Sequence, residues 1–121
     1  MQLTREELNA RLVQWIMDKK AEDIEQIDVS GKTSYVDELI ICTGGSDMHV
    51  RAIAEHVLAM AKEQRIHLLG KEGLEGANWV LIDFGDTILH IFREETRLHY
   101  SLDELWEKLA NRINRIETDY D

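Results

Sequence analysis

The chain has 121 residues, of which 44% are hydrophobic, so it is long enough for one packed domain and too short for two. Its 24 acidic residues against 14 lysines and arginines give a formal net charge of −10, which argues against binding to free nucleic acid, because nucleic acid needs a cationic surface. The sequence has no apolar run near the ~20 residues that span a bilayer and no signal-peptide pattern, so we expect a cytoplasmic protein that contacts no membrane.

Residues 4–29 predict one helix followed by one strand. Thr4 and Glu7 have the spacing of a capping box, and apolar residues then recur on one helical stripe, so a first helix is predicted over residues 5–20. After this helix, Ile27 and Val29 alternate with polar neighbours, which is typical of a strand.

A buried strand and a second helix are predicted next. The apolar run DELIICTGG, residues 37–45, lies between an acidic pair and two glycines, which is typical of a strand buried on both faces near the centre of a sheet. Ser46 can cap the helix after it, in which apolar residues from Val50 to Ala61 recur at intervals of three and four. Cys42 is the single cysteine and lies inside the apolar run, so we predict a buried, unreactive thiol.

The second half of the chain adds three strands and a helix. Residues 67–79 hold a short strand and a glycine-rich loop, and WVLIDFGDTILHIFRE, residues 79–94, predicts two strands joined in a hairpin at Gly85. Residues 101–113 begin with another capping box and form the stripe of a third helix. The order α-β-β-α-β-β-β-α predicts a single α/β domain over residues 1–121, with helices packed on a mixed β-sheet.

The turn at Gly44, Gly45 and Ser46 is the first candidate for chemistry. A glycine-serine turn that enters a helix resembles the turn with which nucleotidyltransferases hold a nucleotide phosphate. Those enzymes also need two carboxylates two residues apart on the following strand, so that both reach the same magnesium ions. Here a helix follows the turn and the next strand has no carboxylate, so the sequence favours a simple joint between strand and helix. A small nucleotide-binding enzyme is the alternative.

The predicted hairpin holds the other candidate residues. Asp83 and Asp86 flank its turn, where carboxylates usually form turns and face solvent, and neither they nor the five scattered histidines predict a metal site. His90 is expected in the core. Both faces of the hairpin are apolar, so Trp79 and Phe84 either pack in the core or lead an apolar patch for another protein.

Three stretches together resemble the ribosomal silencing factor family, also called Iojap. These are DVSGKTSYVDELIICTGGSDMHVRAIAEHV, then KEG, then WVLIDFGDTILHIFREETRLHYSLDELW, and the resemblance covers roughly residues 22–107. The family has an α/β fold whose topology is related to that of nucleotidyltransferases and which lacks their catalytic carboxylates. The resemblance therefore implies a nucleotidyltransferase-like topology, no enzymatic activity and no cofactor.

The resemblance also implies a function and partners. Members are cytoplasmic repressors that bind the large ribosomal subunit through a ribosomal protein of the L-fourteen family and sterically keep the small subunit from joining, which lowers translation when nutrients are short. They are often homodimers, so a second copy of the chain is another expected partner. The family's interaction surface maps onto Trp79 and Phe84. From the charge balance we add Asp83 and Asp86 as contacts to basic groups of the ribosomal protein.

The chain departs from the family pattern in two places. The turn commonly reads Thr-Gly-Thr-Ser followed by an Arg-His pair, whereas this chain has Gly45 and Met48 in place of the second threonine and the arginine. The aliphatic residue that commonly follows the aspartate of the hairpin motif is replaced by the larger Phe84. An apolar anchor is therefore kept in the hairpin, and the turn is altered.

Overall fold

A computed structural model of the protein describes residues 3–32 and 36–98, apart from the side chain of Leu98. The elements run in the order α1 (Arg5–Asp18), β1 (Glu22–Asp28), β2 (Glu38–Gly44), α2 (Asp47–Glu63), β3 (Gly70–Glu72), β4 (Trp79–Asp83), β5 (Thr87–Arg93) and α3 (Glu94–Leu98). The predicted order is confirmed from α1 to β5. The short α3 was not predicted, and the helix predicted over residues 101–113 lies outside the described residues. No helix within the described ranges is both long and apolar enough to cross a membrane.

The five strands form one mixed sheet in the order β1-β2-β5-β4-β3. β2 and β5 are parallel, and every other neighbouring pair is antiparallel. The connection between the parallel pair passes through α2 and the β3–β4 strands, which agrees with the predicted mixed α/β class. β2 is an interior strand, as its continuous apolar run predicted, while β5 is the middle strand.

Both long helices begin with a side-chain cap, and a basic residue with a left-handed backbone follows each of them. The predicted capping box of α1 is present, and Ser46 caps α2 by accepting a hydrogen bond from the N–H of His49 at 3.1 Å. Lys20 and Arg65 follow the C-terminal ends of α1 and α2 with φ values of 60° and 58°. In each case this residue and the next donate N–H bonds back to the last helical turn, which is the Schellman arrangement. A cation at this place also interacts favourably with the helix dipole.

α1 and α2 pack on one face of the sheet, which we call the first face. Strand residues alternate between faces, so every second residue of the interior strands points toward the helices. The helices contribute Leu8, Leu12, Trp15, Ile16, Val50, Ile53, Ala54, Val57 and Ala61 to this core, and the strands contribute Ile40, Cys42, Val80, Ile82, Leu89 and Ile91. The helical stripes that the sequence predicted are therefore the buried sides of α1 and α2.

The opposite face, which we call the second face, is also buried. Its cluster consists of Val29, Val36, Leu39, Ile41, Leu81, Ile88 and Phe92, with Ile27 and Trp79 packed partly against it. Its strand members are the alternate residues of the same strands that build the first face. Apolar residues on both faces of the β4–β5 hairpin are therefore explained by two separate cores.

A buried polar group ties α1 to the sheet. Asn9 is buried, its Nδ2 donates to Glu38 Oε2 at 2.6 Å, and its Oδ1 accepts from Thr87 Oγ1 at 2.6 Å. Burial raises the pKa of the Glu38 carboxyl above its ordinary value, and the nearby Arg5 opposes that shift. Because Glu38 and Thr87 begin the neighbouring strands β2 and β5, Asn9 fixes where α1 crosses them.

Candidate functional site

The β4–β5 hairpin ends in a turn that is held from two sides. Gly85 has a φ of 99°, a positive value that favours glycine, and its N–H donates to Asp83 Oδ1 at 2.8 Å. The N–H of Phe84 donates to the carbonyl of Thr87 at 2.9 Å. The carbonyl of Asp86 accepts two N–H bonds from the residues that lead into β2, at 2.9 and 3.1 Å. The turn-forming role expected of Asp83 is therefore confirmed.

The two carboxylates of the turn have different surroundings. Asp83 is half-buried, and burial raises the pKa of its carboxyl above the ordinary value, although the hydrogen bond from Gly85 opposes the shift. Asp86 is exposed, so its charge is available to a partner. Among the described residues, no group of three or more histidine, cysteine or acidic side chains is arranged to hold a metal ion.

Trp79 begins β4 and is half-buried against the second face. Its ring stacks on Phe92, with centroids 4.9 Å apart and an interplanar angle of 23°. Its Nε1–H donates to His90 Nδ1 at 2.9 Å, so the neutral His90 ring carries its proton on Nε2. His90 is 1% exposed, which confirms the predicted core histidine. The indole of Trp79 therefore keeps one orientation, with part of its surface open to solvent.

Phe84 follows the other end of β4 and packs against the first-face core. Trp79 and Phe84 are thus on opposite faces of the sheet and roughly 17 Å apart along the strand, at ~3.4 Å per residue. They flank β3, the short edge strand, which pairs with β4 only from Leu81 to Asp83. The structure therefore does not bring the two aromatics into one patch, but both lie along the same edge of the sheet.

The turn after β2 is a tight joint between strand and helix. A Cβ on Gly44 would lie 2.9 Å from both the backbone N and the Cγ2 of Val50, so only glycine fits there without displacement. Gly45 has open space, since the nearest atom to a Cβ would be His49 Nδ1 at 3.9 Å. Gly44 therefore has a packing reason to be glycine, and Gly45 has none from contacts.

His49 closes this turn, a role that the sequence did not suggest. Its Nδ1 accepts from the N–H of Gly45 at 2.9 Å, and its Nε2 is 2.7 Å from the carbonyl of Lys19 at the end of α1. The neutral ring with its proton on Nε2 satisfies both bonds. Because the N–H groups of Gly45 and His49 both donate within the joint, two of the donors that would hold a phosphate are already used.

Two further features complete the region around β2. Cys42 is fully buried, as predicted, and burial raises the pKa of its thiol to about 12, which favours the unreactive thiol form. Arg97 of α3 donates to Thr43 Oγ1 and to the carbonyl of Asp23, both at 2.7 Å, and lies 3.5 Å from Glu25. Arg97 could not be predicted from the sequence, because α3 has too few residues to display a helical period.

Comparisons with known proteins agree with this architecture. The sequence profile of a family described as the ribosomal silencing factor during starvation matches residues 2–120. A ribosomal silencing factor of Halalkalibacterium halodurans is 38% identical over 104 residues, which cover 86% of this chain and 89% of that protein. A crystal structure of a Chromobacterium violaceum protein superposes with a TM-score of 0.80 at 32% identity, over 87% of this chain and 88% of that one. A mouse protein named for mitochondrial assembly of the ribosomal large subunit is 31% identical over 98 residues, which cover 78% of this chain and 43% of that protein.

Proposed function

Since the chain belongs to the family of ribosomal silencing factors that act during starvation, we propose that it represses translation in the cytoplasm by binding the large ribosomal subunit. The partner is a ribosomal protein of the L-fourteen family, and the bound factor sterically blocks the small subunit. The observation that carries the proposal is the match of the family profile to residues 2–120. The name of the mouse relative, which refers to the large subunit, supports the choice of subunit.

We assign the contact to the edge of the sheet formed by β3 and β4. Trp79 and Phe84 flank β3 and are both half-buried, so each has surface to offer. A partner that touches both must extend along roughly 17 Å of the edge. Ordinary interfaces of about 800 Å² per partner reach that far. Aromatic anchors of this kind often carry much of the binding energy of an interface.

Charge supports a basic partner at this edge. The whole chain has a formal charge of −10, and the turn beside Phe84 has carboxylates at Asp83 and Asp86. Opposite charge accelerates encounter and orients the partners, whereas affinity depends mainly on the buried anchors. Asp86, which is exposed, is the stronger candidate for an ionic contact, because the Asp83 carboxylate already accepts a bond from its own turn.

Co-sedimentation with purified large subunits tests the assignment. Trp79→Ala and Phe84→Ala should each weaken binding by about thirtyfold, which corresponds to ~2 kcal/mol for a central aromatic anchor. Met48→Ala is the matched control for the loss of an apolar side chain, because Met48 is 75% exposed and lies in the first turn of α2, after β2, which β5 separates from β4 in the sheet. Far-ultraviolet circular dichroism and thermal melting establish that each variant is folded.

Two outcomes would contradict this assignment. One is that folded Trp79 and Phe84 variants bind large subunits as tightly as the parent, and the other is that Met48→Ala loses as much affinity as they do. Light scattering on the same variants tests the homodimer that the family resemblance implies. If replacing Trp79 or Phe84 by alanine abolishes a dimer, the dimer uses this edge. If the dimer persists in both variants, it uses another surface.

A further inference from the structure

A groove of about 550 Å³ lies between the first half of α1, the end of α2 and the hairpin turn. Its apolar lining consists of Leu3, Leu8, Ile66 and Phe84, which all belong to or pack against the first-face core. The volume falls in the range of sites that hold small ligands or a few side chains. The groove is therefore an opening over the edge of the core, with room for apolar side chains of another molecule.

The groove is locally basic in a strongly acidic chain. Arg5, Arg11 and Arg65 line it, and among its lining residues within 3–32 and 36–98 the carboxylates are those of Glu7 and Asp86. The Glu7 carboxylate accepts bonds from the Thr4 N–H and hydroxyl in the capping box of α1 and keeps its negative charge, so three arginines line the groove against two carboxylates. Arginines therefore outnumber carboxylates around this groove, although the whole chain has a net charge of −10.

Two of these arginines, Arg11 and Arg65, lie at the end of α2. Arg11 Nη1 donates to the side-chain oxygen of Gln64 at 2.7 Å, which is a neutral partner. Arg65 is the next residue, is exposed, and has no ion pair to any side chain of residues 3–32 or 36–98. Arg5, in contrast, lies 3.7 Å from Asp37. The charges of Arg11 and Arg65 are therefore the ones available to a ligand.

Arg65 is also held in a defined position. Its backbone has the left-handed φ of 58°, and the Schellman bonds hold it there, because the N–H of Arg65 donates to the carbonyl of Lys62 and the N–H of Ile66 donates to the carbonyl of Ala61. A guanidinium on a fixed backbone, beside a second one anchored to Gln64, suits a carboxylate, which the planar donors of arginine can bind in pairs.

We propose that this groove binds an acidic linear segment of a partner protein. One aliphatic or aromatic side chain of the segment lies on the apolar lining, and neighbouring carboxylates bind Arg11 and Arg65. A nucleic-acid backbone would match the arginines and leave the apolar lining uncovered, so the combination favours a peptide. The site goes beyond the proposed ribosomal contact, although Phe84 and Asp86 border both, so a bound peptide would compete with the large subunit.

Fluorescence anisotropy on the full chain tests the site. The probes are labelled peptides with a central phenylalanine, leucine, isoleucine or tyrosine between two glutamates on each side. We expect at least one to bind saturably. Replacing the central residue of that peptide by serine, or its glutamates by lysines, should weaken binding about tenfold. Arg65→Gly in the protein should also weaken binding about tenfold, because it removes one charge-assisted hydrogen bond.

Lys20→Gly is the matched control for Arg65→Gly. Lys20 has the same left-handed φ at the end of α1, so its replacement removes the same backbone strain and one positive charge at a place that does not line the groove. Peptide affinity should stay within about twofold of the parent in this variant.

Three results would overturn the proposal. The first is that Arg65→Gly and Lys20→Gly lose the same affinity. The second is that no peptide binds saturably at concentrations up to about 1 mM. The third is that a labelled oligouridylate binds more tightly than any peptide. Because no ribosome takes part in this assay, its failure leaves the co-sedimentation result unaffected, and the two proposals fail separately.

Discussion

Gly44→Ala tests whether the joint after β2 is a packing constraint. The added methyl would lie 2.9 Å from both the backbone N and the Cγ2 of Val50, which itself is fully buried in the first-face core. Val50 N–H also donates to the carbonyl of Ser46 at 2.9 Å, so the helix cannot retreat without straining its first turn. Overpacking of this kind costs ~1–3 kcal/mol. The lower entropy of the unfolded alanine chain offsets ~0.4–1 kcal/mol of that.

The expected net loss is ~1–2 kcal/mol, or a melting temperature lower by roughly 4–10 °C for a domain of this size. Urea unfolding followed by circular dichroism at pH 7 measures it. Gly45→Ala is the matched control, because its methyl would have open space, and we expect its stability to stay equal or to rise by up to ~1 kcal/mol. The reasoning is refuted if Gly44→Ala is as stable as the parent, or if Gly45→Ala is equally damaged.

Two further stability predictions concern buried polar groups. Asn9→Ala leaves both hydrogen-bond partners of that side chain without their bonds, so the free energy of unfolding should fall by ~2–3 kcal/mol. Gln14→Ala, on the exposed side of α1, is the control and should lower it by less than ~0.5 kcal/mol. Equal losses in urea unfolding would contradict the role of Asn9. For Asp83, the raised folded pKa gives a stabilisation that is fully present below the ordinary value of 3.8 and lost as pH rises through the folded pKa. Asp83→Asn keeps the acceptor for Gly85, so it should be more stable than the parent at pH 7, and the difference should shrink in acid; a constant difference in urea melts from pH 3 to 7 would contradict it.

Much of the fold followed from the sequence because its signals are local. The helical stripes around Leu12 and Ile53 predicted the buried sides of α1 and α2, and the serine after the two glycines predicted the cap of α2. α3 was missed because five residues are too few for a periodic pattern, and Arg97 was missed with it. Its partners come from β1 and β2, more than fifty residues earlier in the chain, and no spacing rule connects them.

The candidate site was less readable because it depends on strand alternation and on local charge. Trp79 and Phe84 are five residues apart, an odd separation that puts them on opposite faces of β4, so their apolar character did not imply one patch. The net charge was an incomplete guide to the surface. A total of −10 does not reveal that three arginines lie together around one groove. His49 was not recognised as the closing residue of the turn because its second partner, Lys19, is thirty residues away.

A subunit-joining assay tests the central claim most directly. Purified large and small ribosomal subunits are mixed at a magnesium concentration that permits association, with and without an excess of this protein, and separated on a sucrose gradient. We predict that the protein sediments with free large subunits and that the peak of joined ribosomes falls in proportion to the protein added. A peak of joined ribosomes that is unchanged by the protein, or protein found only with small subunits, would contradict the account.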